Sequence, residues 1–218
     1  MSGFRASATR FFQDLEDDNS REFWLANADR YDHEVKQPML ALLESLPERY
    51  QPFRLYRMNR DLRFTRDKSP YKTQQGAISE AEGGDHYLHL DGRGLLVAAG
   101  AYQLEPDQLE RYRAAVDDAR KGKALERILA DLEQHEIETA MGMPALKTAP
   151  RGYAKDHPRV QLLRRKGIVG SRTLTGTALQ DGTAVRDFVV ETFTACEPLV
   201  AWLAKHVGAP ARRNEPPR

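Results

Sequence analysis

Arginine recurs every third residue through Arg54, Arg57, Arg60, Arg63 and Arg66, and Lys68 and Lys72 follow. A guanidinium presents a planar fork of donors that fits a phosphate or carboxylate held at two points. Against these seven cations the stretch holds only Asp61 and Asp67, a local charge of +5. A second stretch holds Lys147, Arg151, Lys155, Arg159, Arg164, Arg165 and Lys166 against Asp156, a local charge of +6. The whole 218-residue chain carries +1, so the remainder carries −10. Segregation of this kind is the sequence footprint of an anion-binding surface. The competing account is that acidic helices face the basic segments and neutralise them through surface pairs, each contributing about 0–1 kcal/mol.

The run Asp67-Lys68-Ser69-Pro70-Tyr71-Lys72 has the composition of a turn. Lysines, a hydroxyl and a phenol on a loop sit where ligands are commonly met. Tyr71 offers a ring to stack on a base; the alternative is a ring packed under its own loop. The ligand-binding candidates are therefore Arg57, Arg60, Arg63, Lys68, Tyr71 and Lys72, joined by Arg151 and Lys155 from the second stretch.

Acid–base candidates are fewer: Asp61, Asp156 and His157. Histidine titrates near neutral pH and can shuttle protons. Adjacent residues do not readily pair as a dyad, however, and Asp156 or His157 ahead of Pro158 also suits a helix cap. In a strand, the spacing of His86 and His89 points their rings to opposite faces. His89 and Asp91 share a face, which is too little for a metal site. The chain has no His-Glu-x-x-His, no phosphate loop and no Gly-x-Ser-x-Gly elbow. The expectation is no metal and no cofactor. Cys196 is the single cysteine, which excludes a disulfide framework and fits a reducing compartment. It lies in an amphipathic run with Phe193, Leu199 and Leu203 and reads as a small buried hydrophobe.

The elements that would position these groups follow from periodicity. Phe4, Phe11, Phe12 and Leu15 mark one face of a first helix, and Asn19-Ser20 caps a second that carries Phe23, Trp24, Tyr31 and Val35. Pro38 should kink or split that helix. Residues 54–66 read as a strand, with Arg57, Asp61 and Arg63 on one side and Arg54, Arg60 and Arg66 on the other. Extended structure continues through Gly76-Ala77-Ile78 and from His86 to Leu104, with Asp91-Gly92 and Gly94 as a hairpin turn. Helical periodicity returns around Leu109–Val116 and Leu125–Leu132. A loop from Gly142 to His157 leads to a short helix after Pro158, and a long helix runs from Thr183 to His206. These imply an α+β fold, a mainly antiparallel central sheet flanked by helices, in one domain over residues 1–207 with a disordered tail at 208–218. No leader peptide and no membrane-length apolar run is present, so a cytoplasmic protein without membrane attachment is expected.

Arg57-x-x-Arg60-Asp61-x-Arg63-Phe64-x-x-Asp67-Lys68-x-x-Tyr71 resembles the signature of a bacterial and fungal family classed as a domain of unknown function. The likeness extends to Asn19-x-Arg21-Glu22, Ala26-Asn27 and Tyr31. It extends also to Leu146-Lys147, Pro150-Arg151-Gly152-Tyr153, Asp156-His157-Pro158 and Leu162-Leu163-Arg164. It covers nearly the whole chain apart from the tail. Two positions depart from it: Phe23-Trp24 stands where Trp-Phe is expected, and Ala28 stands where lysine is usual. The resemblance implies a fold and a site without implying an activity.

Three functions are compatible with these residues. The first is binding of a phosphorylated or other anionic ligand, nucleic acid included, at the arginine-rich site. The second is an enzyme acting on a phosphate- or carboxylate-bearing substrate, with Asp61, Asp156 or His157 as acid or base and arginines clamping the transition state. The third is an internal Arg–Asp strut with the working surface elsewhere.

Overall fold

The computed structural model describes residues 3–61, 63, 67–80, 84–139, 142 and 144–211. Helix α1 (Ala6–Asp17) buries Phe11, Phe12 and Leu15, the stripe its sequence marks. Helix α2 (Arg21–Tyr31) starts where Ser20 accepts a hydrogen bond from the Phe23 N–H, with Glu22 in the positive first turn. It leads through a wide turn, Asp32–Lys36, into α3 (Gln37–Ser45). There the Gln37 N–H reaches back to the Asp32 carbonyl, five residues away. Pro38 has no N–H to donate to the preceding turn, and the widened turn absorbs the loss without ending the helix.

The sheet runs β1 (Arg54–Leu55), β2 (Gln74–Ser79), β3 (Asp85–Asp91), β4 (Leu95–Ala101) and β5 (Ile168–Leu174), in that spatial order. It is antiparallel, and with its helices it makes the fold α+β as the periodicities predict. The hairpin between β3 and β4 is set by Asp91, whose carboxylate accepts from the Arg93 N–H (2.8 Å) and the Gly94 N–H (3.1 Å). After β4 come α4 (Pro106–Asp117), α5 (Ala119–Gln134), α6 (Val160–Leu163) and, beyond β5, α7 (Gly182–His206).

Contacts group into two compact units: residues 1–79, 86–97 and 173–191, and residues 80–85, 98–172 and 192–218. The first is built on Phe4, Phe11, Phe12, Met39, Leu88 and Leu95, all nearly inaccessible. The second is built on Tyr112, Leu125, Leu163, Phe193 and Leu199. Cys196 is buried in it, and burial pushes its thiol up to about 12, which makes it inert.

Of the strand expected over 54–66, the described residues 54–61 and 63 form only its first two positions. Regular pairing stops at Leu55, a single bridge joins Asn59 to Tyr71, and Arg63 lies in a turn. Arginine at every third position cannot keep to one face of a two-residue repeat, so a longer strand would bury guanidinium groups. Arg66 and Phe64 lie outside the described residues. At the other end, the Gly208 carbonyl accepts from the Gln108 amide and the Ala209 carbonyl from Arg111 (2.7 and 2.8 Å). Residues 212–218, most of the expected disordered tail, also lie outside the described set. Among the described residues no helix is long and apolar enough to cross a membrane.

Candidate functional site

Strand alternation sorts the first unit into two faces. Gln75, Ala77 and Ser79 pair with Leu90, Leu88 and His86, while Gln74, Gly76 and Ile78 pair with Asp91, His89 and Tyr87. The first set faces the helices: the Tyr31 hydroxyl donates to the Gln75 side-chain oxygen, and the Tyr50 and His86 rings are 4.9 Å apart. Burial pushes the Tyr31 phenol up to about 12, with Asp32 adding to the effect.

The Asn19–Tyr71 clamp fixes the 57–72 loop to that helical side. The Asn19 amide donates to the Tyr71 carbonyl (3.2 Å) and accepts from the Tyr71 N–H (3.0 Å). The Tyr71 ring stacks on Trp24, with centroids 4.4 Å apart and planes 13° apart. Arg60 donates its Nε to the same carbonyl at 2.8 Å and pairs with Asp67 through its terminal nitrogen. Asp67 also accepts from the N–H and hydroxyl of Ser69, which hold its carboxyl below the usual carboxylate range. Tyr71 thus packs under its loop, and Arg60 latches the loop's two arms.

The second face is polar. Alternation from Tyr71 turns Lys72 onto it, ahead of Gln74 and Gly76. The Lys72 ammonium donates to the Arg57 carbonyl at 2.8 Å and lies 5.3 Å from the Tyr56 ring centre; the Arg54 guanidinium is 5.0 Å from that centre. Desolvation lowers the Lys72 pKa, and the like charges of Arg57 and Arg60 lower it further. Neither Lys72 nor Arg57 forms an ion pair with a carboxylate among the described residues. Asp61, the nearby acid, is spent on Arg63, bonded through Nε (2.9 Å) and Nη2 (2.6 Å). That bidentate contact, with the Arg63 N–H, holds the Asp61 carboxyl far below its ordinary range. Beyond Tyr56 the face continues to Tyr87 (ring centres 6.4 Å apart) and then His89, whose Nδ1 is 3.1 Å from the Tyr87 hydroxyl. Gly76 lies beneath: a Cβ there would stand 2.8 Å from the Tyr87 hydroxyl oxygen and 3.1 Å from the Tyr56 ring.

In the second basic stretch, in the other unit, three of the seven cations are taken up by backbone carbonyls. Arg159 donates to the carbonyls of Val116 (2.6 Å) and Asp117 (2.9 Å), closing the C-terminal end of α4. Arg165 donates to the Thr139 carbonyl at 2.7 Å, and Arg164 to that of Leu146. His157 uses both ring nitrogens: Nδ1 accepts from the Arg159 N–H (3.0 Å) and Nε2 lies 3.0 Å from an Asp117 oxygen. Its acidic partner is Asp117, not the adjacent Asp156, and its ring caps the turn into α6. Arg151, Lys155 and Asp156 are exposed.

A model of the conserved hypothetical protein family DUF2461 matches residues 7–202. The chain belongs to the DUF2461 family. No curated protein and no solved structure matches it.

Of the candidates read from the sequence, this DUF2461 chain brings the Lys72 ammonium onto the polar face against the Arg57 carbonyl, with the Arg57 charge near enough to lower the Lys72 pKa. It turns Tyr71 and Arg60 to loop fixation, leaves Asp61 paired with Arg63 in the exposed turn, and places Lys68 exposed in the loop. Among the described residues no group of three or more His, Cys, Asp or Glu is placed to hold a metal ion. Gln74 and Tyr87 were not singled out from the sequence. Their signal was the two-residue alternation that already put His89 and Asp91 on one face; extended one strand position back and across the ladder, it collects both.

Proposed function

We propose that the chain binds a phosphorylated or other anionic ligand on the polar face of β1–β3, with Lys72 and Arg57 as its charged anchors. The observation that carries this is the Lys72 ammonium itself. It is partly desolvated, fixed by the Arg57 carbonyl and faced by the like charges of Arg57 and Arg60, with no ion pair to a carboxylate among the described residues. Such an arrangement costs free energy unless an anion completes it. Nucleic acid is the extended form of the same ligand chemistry, with Tyr56 as an aromatic neighbour of the cations.

In the second basic stretch, Arg159, Arg164 and Arg165 are engaged by backbone carbonyls, and Lys147, Arg151 and Lys155 are its exposed cations.

Calorimetric titration with pyrophosphate, and separately with a short single-stranded oligonucleotide, tests the proposal. Binding that weakens steeply with salt and is lost in Lys72→Met and Arg57→Ala supports it. Affinity unchanged in both variants, or no binding at low salt, rejects it. Tighter binding of the oligonucleotide than of pyrophosphate would identify the extended polyanion as the ligand.

A further inference from the structure

We infer that the Tyr87 hydroxyl is a nucleophile toward phosphate esters, activated by His89 and Asp91 on the face that Lys72 and Arg57 make cationic; this rests on the anion-binding reading above. Tyr87, His89 and Asp91 occupy alternate positions of β3, and their partners Ile78, Gly76 and Gln74 confirm one shared face. The Tyr87 hydroxyl lies 3.1 Å from His89 Nδ1 and also accepts from the Gln74 amide at 3.1 Å. In the tautomer that leaves Nδ1 unprotonated, the phenol donates to His89 Nδ1. The histidine then carries its own proton on Nε2.

His89 Nε2 is buried without a hydrogen-bond partner among the described residues, and the Asp91 carboxylate stands 3.7 Å away. His89 and Asp91 are each 8 % exposed. Asp91 cannot drift, because the Arg93 guanidinium and the N–H groups of Arg93 and Gly94 bind it. Burial works to raise its carboxyl, but His89 and these donors outweigh burial and keep it ionised. The imidazolium formed when His89 takes the phenol proton would therefore meet a fixed carboxylate. Nucleophile, base and orienting acid stand in sequence, and Gln74 stabilises the phenolate oxygen.

The step is a displacement at phosphorus. The Tyr87 oxygen forms a bond to phosphorus as the bond from phosphorus to the leaving oxygen breaks. The phenol proton passes to His89 Nδ1, and the leaving oxygen, in line on the far side of phosphorus, takes its proton from solvent, to which His89 later returns its own. The product is a phosphodiester on Tyr87 and a free alcohol or phenol, and no oxidant or reductant is required.

Methyl 4-nitrophenyl phosphate is the probe. Wild-type protein should release about one equivalent of 4-nitrophenol in a burst, and intact-mass analysis should find a methylphosphoryl adduct mapping to Tyr87. Tyr87→Phe should abolish both while keeping the ring's contacts with Tyr56 and His89, with circular dichroism showing that the variant is folded. His89→Gln should slow the burst about 10²- to 10⁴-fold, measured at saturating substrate so that any change in affinity is separated from the rate. A protein that binds pyrophosphate yet gives no burst, or a burst that survives Tyr87→Phe, overturns the nucleophile and spares the binding site. An adduct on Tyr87 without pyrophosphate binding sinks the binding reading and keeps the nucleophile. Absence of both overturns both.

Discussion

Asn19 spends both ends of its amide on the backbone of Tyr71, fifty-two residues away in the chain. Replacing it with alanine leaves a partly buried N–H and C=O to find other partners, at a cost of about 1–3 kcal/mol. Asn19→Ala should therefore lower the melting temperature by several degrees, read by thermal circular dichroism, and loosen the Trp24–Tyr71 stack, read by tryptophan fluorescence. An unchanged melting temperature would mean the clamp is redundant with Arg60. Gly76 makes the opposite kind of prediction. The methyl group of Gly76→Ala would stand against the Tyr87 hydroxyl and the Tyr56 ring. It should displace the phenol and disturb the polar face, costing ligand affinity more than stability; calorimetry and a melting curve on the same sample separate the two. These residues also mark what sequence could supply at this scale. Ser20 as a cap follows from local chemistry, whereas Tyr71, a candidate to face a ligand, packs instead on the distant Trp24. That Asn19 grips Tyr71, or that Gly76 makes room for Tyr87, depends on chain approach across long separations, which neither residue type nor spacing encodes.

Elements show the same division between local and distant causes. The stripe of α1, the cap of α2 and the β3–β4 turn at Asp91 were legible because each is fixed by residues within a few positions. The 54–66 strand was not, because its arginine period competes with the pleat, and the outcome rests on what Asn19, Arg60 and Asp67 do to the loop. The corner between α4 and α5 is a third case. Asp118 caps α5 by accepting from the N–H groups of Arg120 and Lys121. Arg159 then reaches the Val116 carbonyl beside Gly122. A Cβ on Gly122 would lie 2.3 Å from that carbonyl oxygen and 2.5 Å from Arg159 Nε. Glycine to alanine within a helix ordinarily stabilises by about 0.5–1 kcal/mol. Here the sign should reverse, with Gly122→Ala and Arg159→Met both lowering the urea midpoint. The double variant should lose less than the sum, because both changes break the same contact. A stabilised Gly122→Ala would show that α5 slides away freely and that Arg159 does not fasten this corner.

For the whole molecule, the lowered pKa values of its aspartates and of Lys72 fix how stability responds to pH and to anions. Asp14, Asp67, Asp91, Asp107 and Asp118 all titrate below their ordinary value of 3.8 in the folded protein. A carboxyl with a depressed folded pKa stabilises fully above its unfolded pKa, and that contribution disappears as pH falls through the folded value. These groups should thus leave the melting temperature flat from pH 5 to 8 and lower it steeply below about pH 4. Asp67 and Asp118 are exposed and Asp14 and Asp107 half-buried, so salt screens these four more, the buried Asp91 should dominate, and Asp91→Asn should flatten the acid limb most. Lys72 has the opposite sign. Its folded pKa is lowered, so its charged form opposes folding at neutral pH, and the penalty lifts only as pH rises through the folded pKa. An anion seated beside Lys72 relieves the same penalty without a change of pH and adds its own binding free energy, about 2.7 kcal/mol at a hundred times its dissociation constant. At pH 7, pyrophosphate should raise the melting temperature of the wild type above that in sodium chloride of equal ionic strength. In Lys72→Met the two salts should give the same curve. If pyrophosphate stabilises both proteins equally, the anion sits elsewhere, and the exposed Arg151 and Lys155 become the first residues to replace.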